Sequence, residues 1–253
     1  MKIMFISDVR NFKTAKTLFE ALRPDCIVML GDVLFDGPGQ VYVLDEEEIP
    51  PDVERSALVR EATVKMDDLI FIRGNTHTSR ELFKIHLFYF KRFLSVVENA
   101  GINYYIIPGN HDEFLNYADI LQHLGFSRFR FFERPARIVC DEEIYLLPYG
   151  AKPYRPTCAS ARIIGAHESQ RKVKTLLECA APCSGVISGH YGHLIERHQD
   201  ESGEKILLRI DDFPFSFATY ENGIYRLYEG DISVLVDEDA SLRKYSVKQE
   251  RLC

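Results

Sequence analysis

The sequence has no C-x-x-C pair, no long apolar run, no repeat of fixed period and no excess of positive charge. Each absence removes a class of protein. Six cysteines (Cys26, Cys140, Cys158, Cys179, Cys183, Cys253) lie scattered, which excludes a zinc ribbon or a thioredoxin-like centre. Cys179 and Cys183 would share a helix face only if a helix ran on through Pro182, which proline opposes. The thiols therefore read as mostly reduced and structural. Nothing approaches the roughly 20 apolar residues of a membrane-spanning helix. The opening MKIMFISDVR runs into a charged motif too soon to be a signal h-region, so it reads as a strand of a soluble, cytoplasmic chain with no membrane partner. Acidic residues outnumber basic ones 38 to 31, a formal net charge of -7, which argues against a broad grip on nucleic-acid phosphates but leaves room for a local basic patch.

What remains is the balance of a globular protein, with 46% hydrophobic and 27% charged residues. A length of 253 residues admits one large α/β domain or two smaller ones. With no clear linker, the expectation is a single domain over 1–253, with an insertion at about 40–77 and antiparallel strands toward the C-terminus.

The dominant pattern is an apolar β-type run, a short polar motif, then a helical stretch, which is α/β logic. IMFI leads into Ser7-Asp8-Val9-Arg10, after which Ala15, Leu18, Phe19 and Leu22 share one helical face up to Pro24. CIVML reads as a buried strand stopping at Gly31-Asp32. Thr78-Ser79-Arg80-Glu81 has capping-box form and opens a long helix ending near Gly101, where a left-handed cap suits glycine. YYII ends in Pro108-Gly109-Asn110-His111-Asp112, and a helix through Ala118, Leu121 and Leu124 closes at Gly125. IYLL precedes Pro148-Tyr149-Gly150, RIIGA runs into His167-Glu168, residues 171–181 look helical, and GVIS runs into Gly189-His190-Tyr191-Gly192-His193. Asn222-Gly223 between two β-type runs is a hairpin signal.

Five polar motifs, SDVR, GDVLFD, GNHDE, GAHES and GHYGH, thus follow strands directly. Ligands of open α/β sheets gather beyond the carboxyl ends of the strands, so these motifs should converge on one rim. Asp8, Asp32, Asn110, His167, His190 and His193 offer oxygen and imidazole donors suited to Mn²⁺, Fe²⁺ or Zn²⁺. A carboxylate such as Asp32 can bridge two cations about 3.5 to 4 Å apart, and such a pair can orient a phosphate and activate water.

At this point the chain resembles the calcineurin-like metallophosphoesterase superfamily, whose motifs D-x-H, GD, GNH(D/E), a strand-end His and GH-x-H occur in this order. The resemblance covers roughly residues 1–195, and GNHD at Gly109 to Asp112 is its most specific element. It implies a four-layer α-β-β-α sandwich of two mixed sheets with a metal site at the rim, one or two divalent ions per chain, and hydrolysis of phosphomonoesters or phosphodiesters by metal-activated water. Carried over by position, Asp8 and His193 would bind one metal, Asp32 would bridge, and Asn110, His167 and His190 would hold the other. His111 would stabilise or protonate the leaving group, a task suited to imidazole near neutral pH.

Two departures bear on the first metal. Arg10 stands where the family has histidine, and a guanidinium has no lone pair to offer. GHYGH also carries one residue more than GH-x-H, displacing His193 unless Gly192 makes a bulge or tight turn. The expectation is a weakened first site. Arg10 could instead fork onto a substrate phosphate or turn outward onto an acid. Asp36 could orient His111 or be a solvated loop carboxylate. Gly74-Asn75-Thr76-His77 mimics GNHD but is read as insertion loop, and the insertion as a shaper of access to the rim. His86 and His123 on helices, and His198 in a polar turn, are read as solvated or satisfied. Phe83, Leu87, Phe90 and Leu94 form a helix-core stripe. Candidate substrates are nucleotides, cyclic nucleotides, nucleotide-sugar pyrophosphates and nucleic-acid ends, long duplex DNA being least favoured. The rival reading is a binding or scaffold protein that keeps the fold with impaired catalysis.

Overall fold

The computed structural model describes residues 1–9, 12–33, 41–45, 49–50, 53, 62–66, 69–73, 79–112, 116–153, 160–190, 192, 194–201, 203–210, 216–230 and 245–251. Arg10, Asp36, the Gly74–His77 segment, Thr78 of the capping box and His193 lie outside these residues.

Strand β1 (Lys2–Ile6) shows how the layers arise. Ile3 and Phe5 enter one hydrophobic cluster and Met4 and Ile6 another, so both faces of the strand are buried. A strand apolar on both faces belongs in the middle of a layered structure. Strands β2 (Cys26–Leu30), β6 (Asn103–Ile107) and β7 (Phe129–Phe131) continue from β1 in parallel. On the other side of β1, β14 (Ser216–Glu221), β15 (Ile224–Glu229) and β16 (Ser246–Arg251) add antiparallel, giving the seven-stranded order β16-β15-β14-β1-β2-β6-β7.

The second sheet has six strands in the order β12-β13-β11-β10-β9-β8. Its parallel centre is β9 (Glu142–Leu147), β10 (Ile163–His167), β11 (Gly185–Gly189) and β13 (Gly203–Arg209). Antiparallel edges come from β8 (Ala136–Cys140) and β12 (Leu194–Asp200). Ile144, Leu146, Ile163, Ile187, Ile206 and Leu208 face Ile3, Phe5, Val28 and Leu30 across the interior.

Helices complete the sandwich. On the outer face of the first sheet lie α1 (Phe12–Leu22), α2 (Ser79–Asn99) and α3 (Tyr117–His123). The buried faces carry the expected Ala15, Leu18, Phe19 and Leu22 from α1 and Phe90 and Leu94 from α2, joined by Phe93 and Val97, while the expected Phe83 and Leu87 pack against this cluster only partly buried. The rings of Phe19 and Phe93 meet edge to face at 6.2 Å between centroids. On the far face of the second sheet, α4 (Gln170–Cys179) buries Val173, Leu176 and Leu177 against Tyr145, Ile164 and Val186. The order is helix, sheet, sheet, helix, the four-layer α-β-β-α sandwich of two mixed sheets that the motif resemblance implies.

Gly101 ends α2 as foreseen. It has φ +75°, its N–H donates to Glu98 O, and the Ile102 N–H reaches Val97 O, the double bond of a Schellman cap. The expected hairpin turn is present too, with Asn222 at φ 51° and Gly223 at φ 77° between β14 and β15. Between β2 and α2, β3 (Val41–Asp45), β4 (Ala62–Met66) and β5 (Leu69–Arg73) form a separate antiparallel sheet, β3-β5-β4.

The C-terminal strands extend the two main sheets, β14 to β16 pairing antiparallel with β1 and one another and β12 antiparallel with β13. Two expectations change. His198 is not in a turn but inside β12, opposite Lys205, because the polar run Leu194–Asp200 is an edge strand whose exposed face tolerates charge. Cys183, just past the helix that Pro182 prevents from continuing, is disulfide-bonded, and its partner lies outside the described residues. Cys26, Cys140 and Cys179 are free and buried, as expected. No helix among the described residues is long and apolar enough to cross a membrane.

Candidate metal centre

The parallel strands of both sheets end at the same rim, and the polar motifs sit at those ends. Asp8 follows β1, Asp32 follows β2, Asn110 and His111 follow β6, His167 is the last residue of β10, and His190 follows β11. One ligand atom from each of Asp8, Asp32, His167 and His190 lies within 4.8 Å of all the others. Asn110 joins them, its Oδ1 standing 2.9 Å from His167 Nε2. Five of the six residues proposed as metal donors therefore come together, and the sixth, His193, is not among the described residues.

Local backbone geometry aims these side chains. Asp8 (φ 53°), Asp32 (φ 50°) and His190 (φ 97°) all adopt positive φ, as does Gly31 at +84°. That region is uncommon for residues with a Cβ, and Asp and His are among those that visit it more readily. It turns the chain abruptly as each strand ends, so that consecutive peptide groups face the rim. Glycines let the turns approach one another. A Cβ on Gly109 would fall 2.1 Å from Asp32 Oδ1, and one on Gly189 would fall 1.9 Å from Ser7 Oγ.

Hydrogen bonds then fix the carboxylates. Asp8 Oδ2 accepts the N–H of His190 at 3.0 Å and lies within reach of the Ser7 hydroxyl. Asp32 Oδ1 accepts the N–H of His111 at 2.9 Å. Asp112 works one step behind. Its Oδ2 accepts the N–H of Asp32 at 2.7 Å and of Gly109 at 2.8 Å, and its Oδ1 accepts the Tyr117 hydroxyl at 2.6 Å. The motif GNHD was legible in the sequence, but this task of its aspartate was not. Only the fold shows that the carboxylate clamps two strand ends together.

His167 reads as a ligand with its orientation already set. Nδ1 lies 2.7 Å from the carbonyl oxygen of Leu30, which can only accept, so Nδ1 carries a hydrogen. Nε2 then faces Asn110 Oδ1 at 2.9 Å and Asp32 Oδ2 at 3.2 Å. Asp32 Oδ2 is buried and, among the described residues, faces no donor other than His167. Two oxygens aimed at one imidazole nitrogen, one of them from a buried carboxylate, form an environment that calls for a positive charge.

In the metal-free chain a proton supplies that charge. Burial acts to lower the His167 pKa, but Asp8 and Asp32 prevail and hold it up at about 10. Asp32 answers in kind, since burial would raise its pKa while His167 and the region of His111 bring it below the ordinary value. His190 moves the other way, to about 4, through burial first and repulsion from His167 second, so its imidazole is uncharged at neutral pH. Asp112 is pushed up to about 7 by its burial and then by Asp32, against the pull of the N–H groups and Tyr117.

This donor set fits a divalent ion. Two carboxylates, two imidazoles and an amide oxygen are the mixed hard and borderline ligands that suit Mn²⁺, Fe²⁺ or Zn²⁺, and they could exchange the His167 proton for a cation. His167 also has the bond from its remote nitrogen to a backbone carbonyl that commonly orients a ligating histidine.

No protein-family model and no curated protein sequence matches the chain. Among solved structures it is similar to Yfce, a phosphoesterase from E. coli, at 16% identity and a TM-score of 0.46 over 100% of both chains. It is likewise similar to an archaeal phosphodiesterase at 12% identity and a TM-score of 0.44, again over 100% of both chains. Likenesses of that size leave the chemistry of the site to its own residues.

Proposed function

We propose that the chain is a metal-dependent phosphoesterase of the calcineurin-like type, hydrolysing phosphomonoesters or phosphodiesters. The observation that carries this reading is the meeting of Asp8, Asp32, His167 and His190 at one strand-end rim, with Asn110 beside them. A divalent ion bound there supplies Lewis acidity toward a phosphoryl oxygen and makes water a nucleophile near neutral pH.

In this reading Asn110, His167 and His190 would hold one ion, Asp8 and His193 would hold the other, and Asp32 would be shared between them. Asp32 is suited to its part because Oδ1 is fixed by the His111 N–H while Oδ2 faces His167 Nε2, whose proton a cation would replace. His190 is suited because its imidazole is unprotonated at neutral pH. His111, attached by its own N–H to Asp32, follows Asn110 directly and is the group to give a proton to the departing alkoxide. Arg10 cannot ligate, so one ion per chain is held firmly and a second only weakly.

The test is hydrolysis of p-nitrophenyl phosphate and bis-p-nitrophenyl phosphate with added Mn²⁺, comparing the native chain with His111→Ala. Turnover that falls by about 10² to 10⁴-fold in the variant supports the reading. Turnover that is absent from the native chain, or unchanged by the substitution, favours the binding or scaffold alternative. Metal analysis after extensive dialysis tests the stoichiometry, since two retained ions per chain would overturn the weakened first site.

A further inference from the structure

Beside the metal centre stands a residue with no part in the chemistry above. Tyr149 lies in the Pro148–Gly150 turn that follows β9, and the residue is 38% exposed. Its centroid is 6.2 Å from that of His167 and 6.3 Å from that of His190, so it adjoins two of the proposed ligands at once. An exposed aromatic ring at a strand-end rim needs something to hold it there, and three contacts do so. The Tyr149 N–H donates to Pro108 O at 3.1 Å, tying the turn to the loop that carries Asn110 and His111. The Gly150 N–H donates to Glu168 Oε1 at 3.2 Å, with Gly150 at φ +76° so that the chain can double back. Lys172, one turn along α4 from Glu168, lies 3.0 Å from Glu168 Oε2 and 5.0 Å from the centroid of the Tyr149 ring.

Glu168 is the unusual member. It is a buried carboxylate directly after His167, and a buried charge is costly unless it is paired. Its partners are Lys172 and the Tyr149 turn, so its burial is offset by contacts that position one aromatic side chain. A tyrosine ring brings apolar surface at a small loss of side-chain freedom, and its face attracts other planar rings.

We infer that Tyr149, positioned by Glu168 and Lys172, is a specificity-determining residue that favours phosphoesters whose esterified group carries a planar aromatic ring, as in a nucleoside phosphate. The inference rests on the phosphoesterase reading only for the location of the phosphate. The ring contact itself requires no turnover, and the two can fail separately.

The experiment compares two probes that cannot be hydrolysed, the phosphonate analogues of adenosine 5′-monophosphate and ribose 5-phosphate in which a methylene replaces the ester oxygen. Affinities for the Mn²⁺-loaded full chain are read by calorimetry. The adenosine probe should bind about tenfold tighter, in the range of a base stacked on an aromatic side chain. Tyr149→Ala should abolish that preference while leaving ribose-probe affinity and Mn²⁺ content as they were, and Tyr149→Phe should keep it. Should Tyr149→Ala lose its metal, Tyr149→Leu, which keeps bulk without a ring, decides in its place. Equal affinities in the native chain, failure of either probe to bind, or a preference that survives loss of the ring would overturn the inference. Turnover of bis-p-nitrophenyl phosphate by the same preparations is scored apart. Its absence alongside a ring-dependent preference would sink the hydrolase and spare the role of Tyr149, and the converse result would do the opposite.

Discussion

The two ends of the sandwich use the same backbone device for different purposes. At the end where the parallel strands begin, positive φ occurs at Arg23 (φ 47°) and Cys183 (φ 59°), in the turns that lead from helices into β2 and β11, at Asp141 (φ 62°), between β8 and β9, and at Asn222, between β14 and β15. The last two close tight antiparallel hairpins, where such values follow from strand twist. Polar groups at that end have ordinary partners: the N-terminal amine with Asp141 at 2.9 Å, the Lys2 N–H with Asp25 Oδ2 at 2.7 Å, and the Tyr220 hydroxyl with Glu142 Oε1 at 2.7 Å. At the opposite end Asp8, Asp32 and His190 have positive φ without closing any hairpin, and Asp32 Oδ2 lies buried against His167 Nε2 at 3.2 Å. Three strained residues gathered around buried carboxylates and imidazoles point to a ligand.

Breaking the ligand end should have the largest effect. Asp32→Ala removes the carboxylate that faces His167 and leaves a buried imidazole short of its counter-charge. Metal affinity, read by equilibrium dialysis, should fall by more than the roughly 10 to 100-fold typical of residues one step removed from a metal. Asp112→Asn belongs to that second category. It disturbs the clamp on the Asp32 and Gly109 N–H groups, and a loss of about 10 to 100-fold in metal affinity is expected with the fold intact by circular dichroism.

A third effect depends on pH. Binding a metal at His167 Nε2 requires displacement of a proton held up to a pKa of about 10. Apparent affinity should therefore rise by about tenfold per pH unit between roughly pH 7 and 9, with about one proton released per ion in calorimetry performed in two buffers. The metal-free protein should behave oppositely. A histidine with a raised folded pKa adds stability that is complete below its unfolded value of 6.5 and disappears as pH rises through about 10. The melting temperature of the metal-free chain should thus gain a downward component across that window, and His167→Gln should remove it. The smallest effect belongs to the hairpin end. Asn222→Ala places a less tolerant residue at φ 51° and should cost about 1 kcal/mol in denaturant unfolding, with metal affinity unaltered. An affinity change there as large as that of Asp112→Asn would erase the distinction between the two ends.

The sequence made the strand ends readable because each central strand is a short apolar run stopped by glycine or a charge, and CIVML appears as β2 without a residue of difference. The ordered motifs then told which ends would meet. What escaped has physical causes. β7 has only three residues, too few for a periodicity, and β8 alternates buried and exposed positions but carries apolar Val139 on its exposed face, which hides the alternation in the sequence. His198 misleads because an edge strand can be as polar as a turn. Asp112 acts through backbone N–H groups, and Tyr149 through a turn tied to two distant segments, so neither role has a residue-type signature along the chain.

The donors come from both β-layers: Asp8 and Asp32 cap strands of the seven-stranded sheet, while His167 and His190 cap strands of the six-stranded one. An ion seated among them would act as a rivet through the interior of the sandwich. Sliding one sheet against the other would then open the cage, and loosening the cage would free the sheets to slide, so cohesion of the layers and grip on the ion rise and fall together.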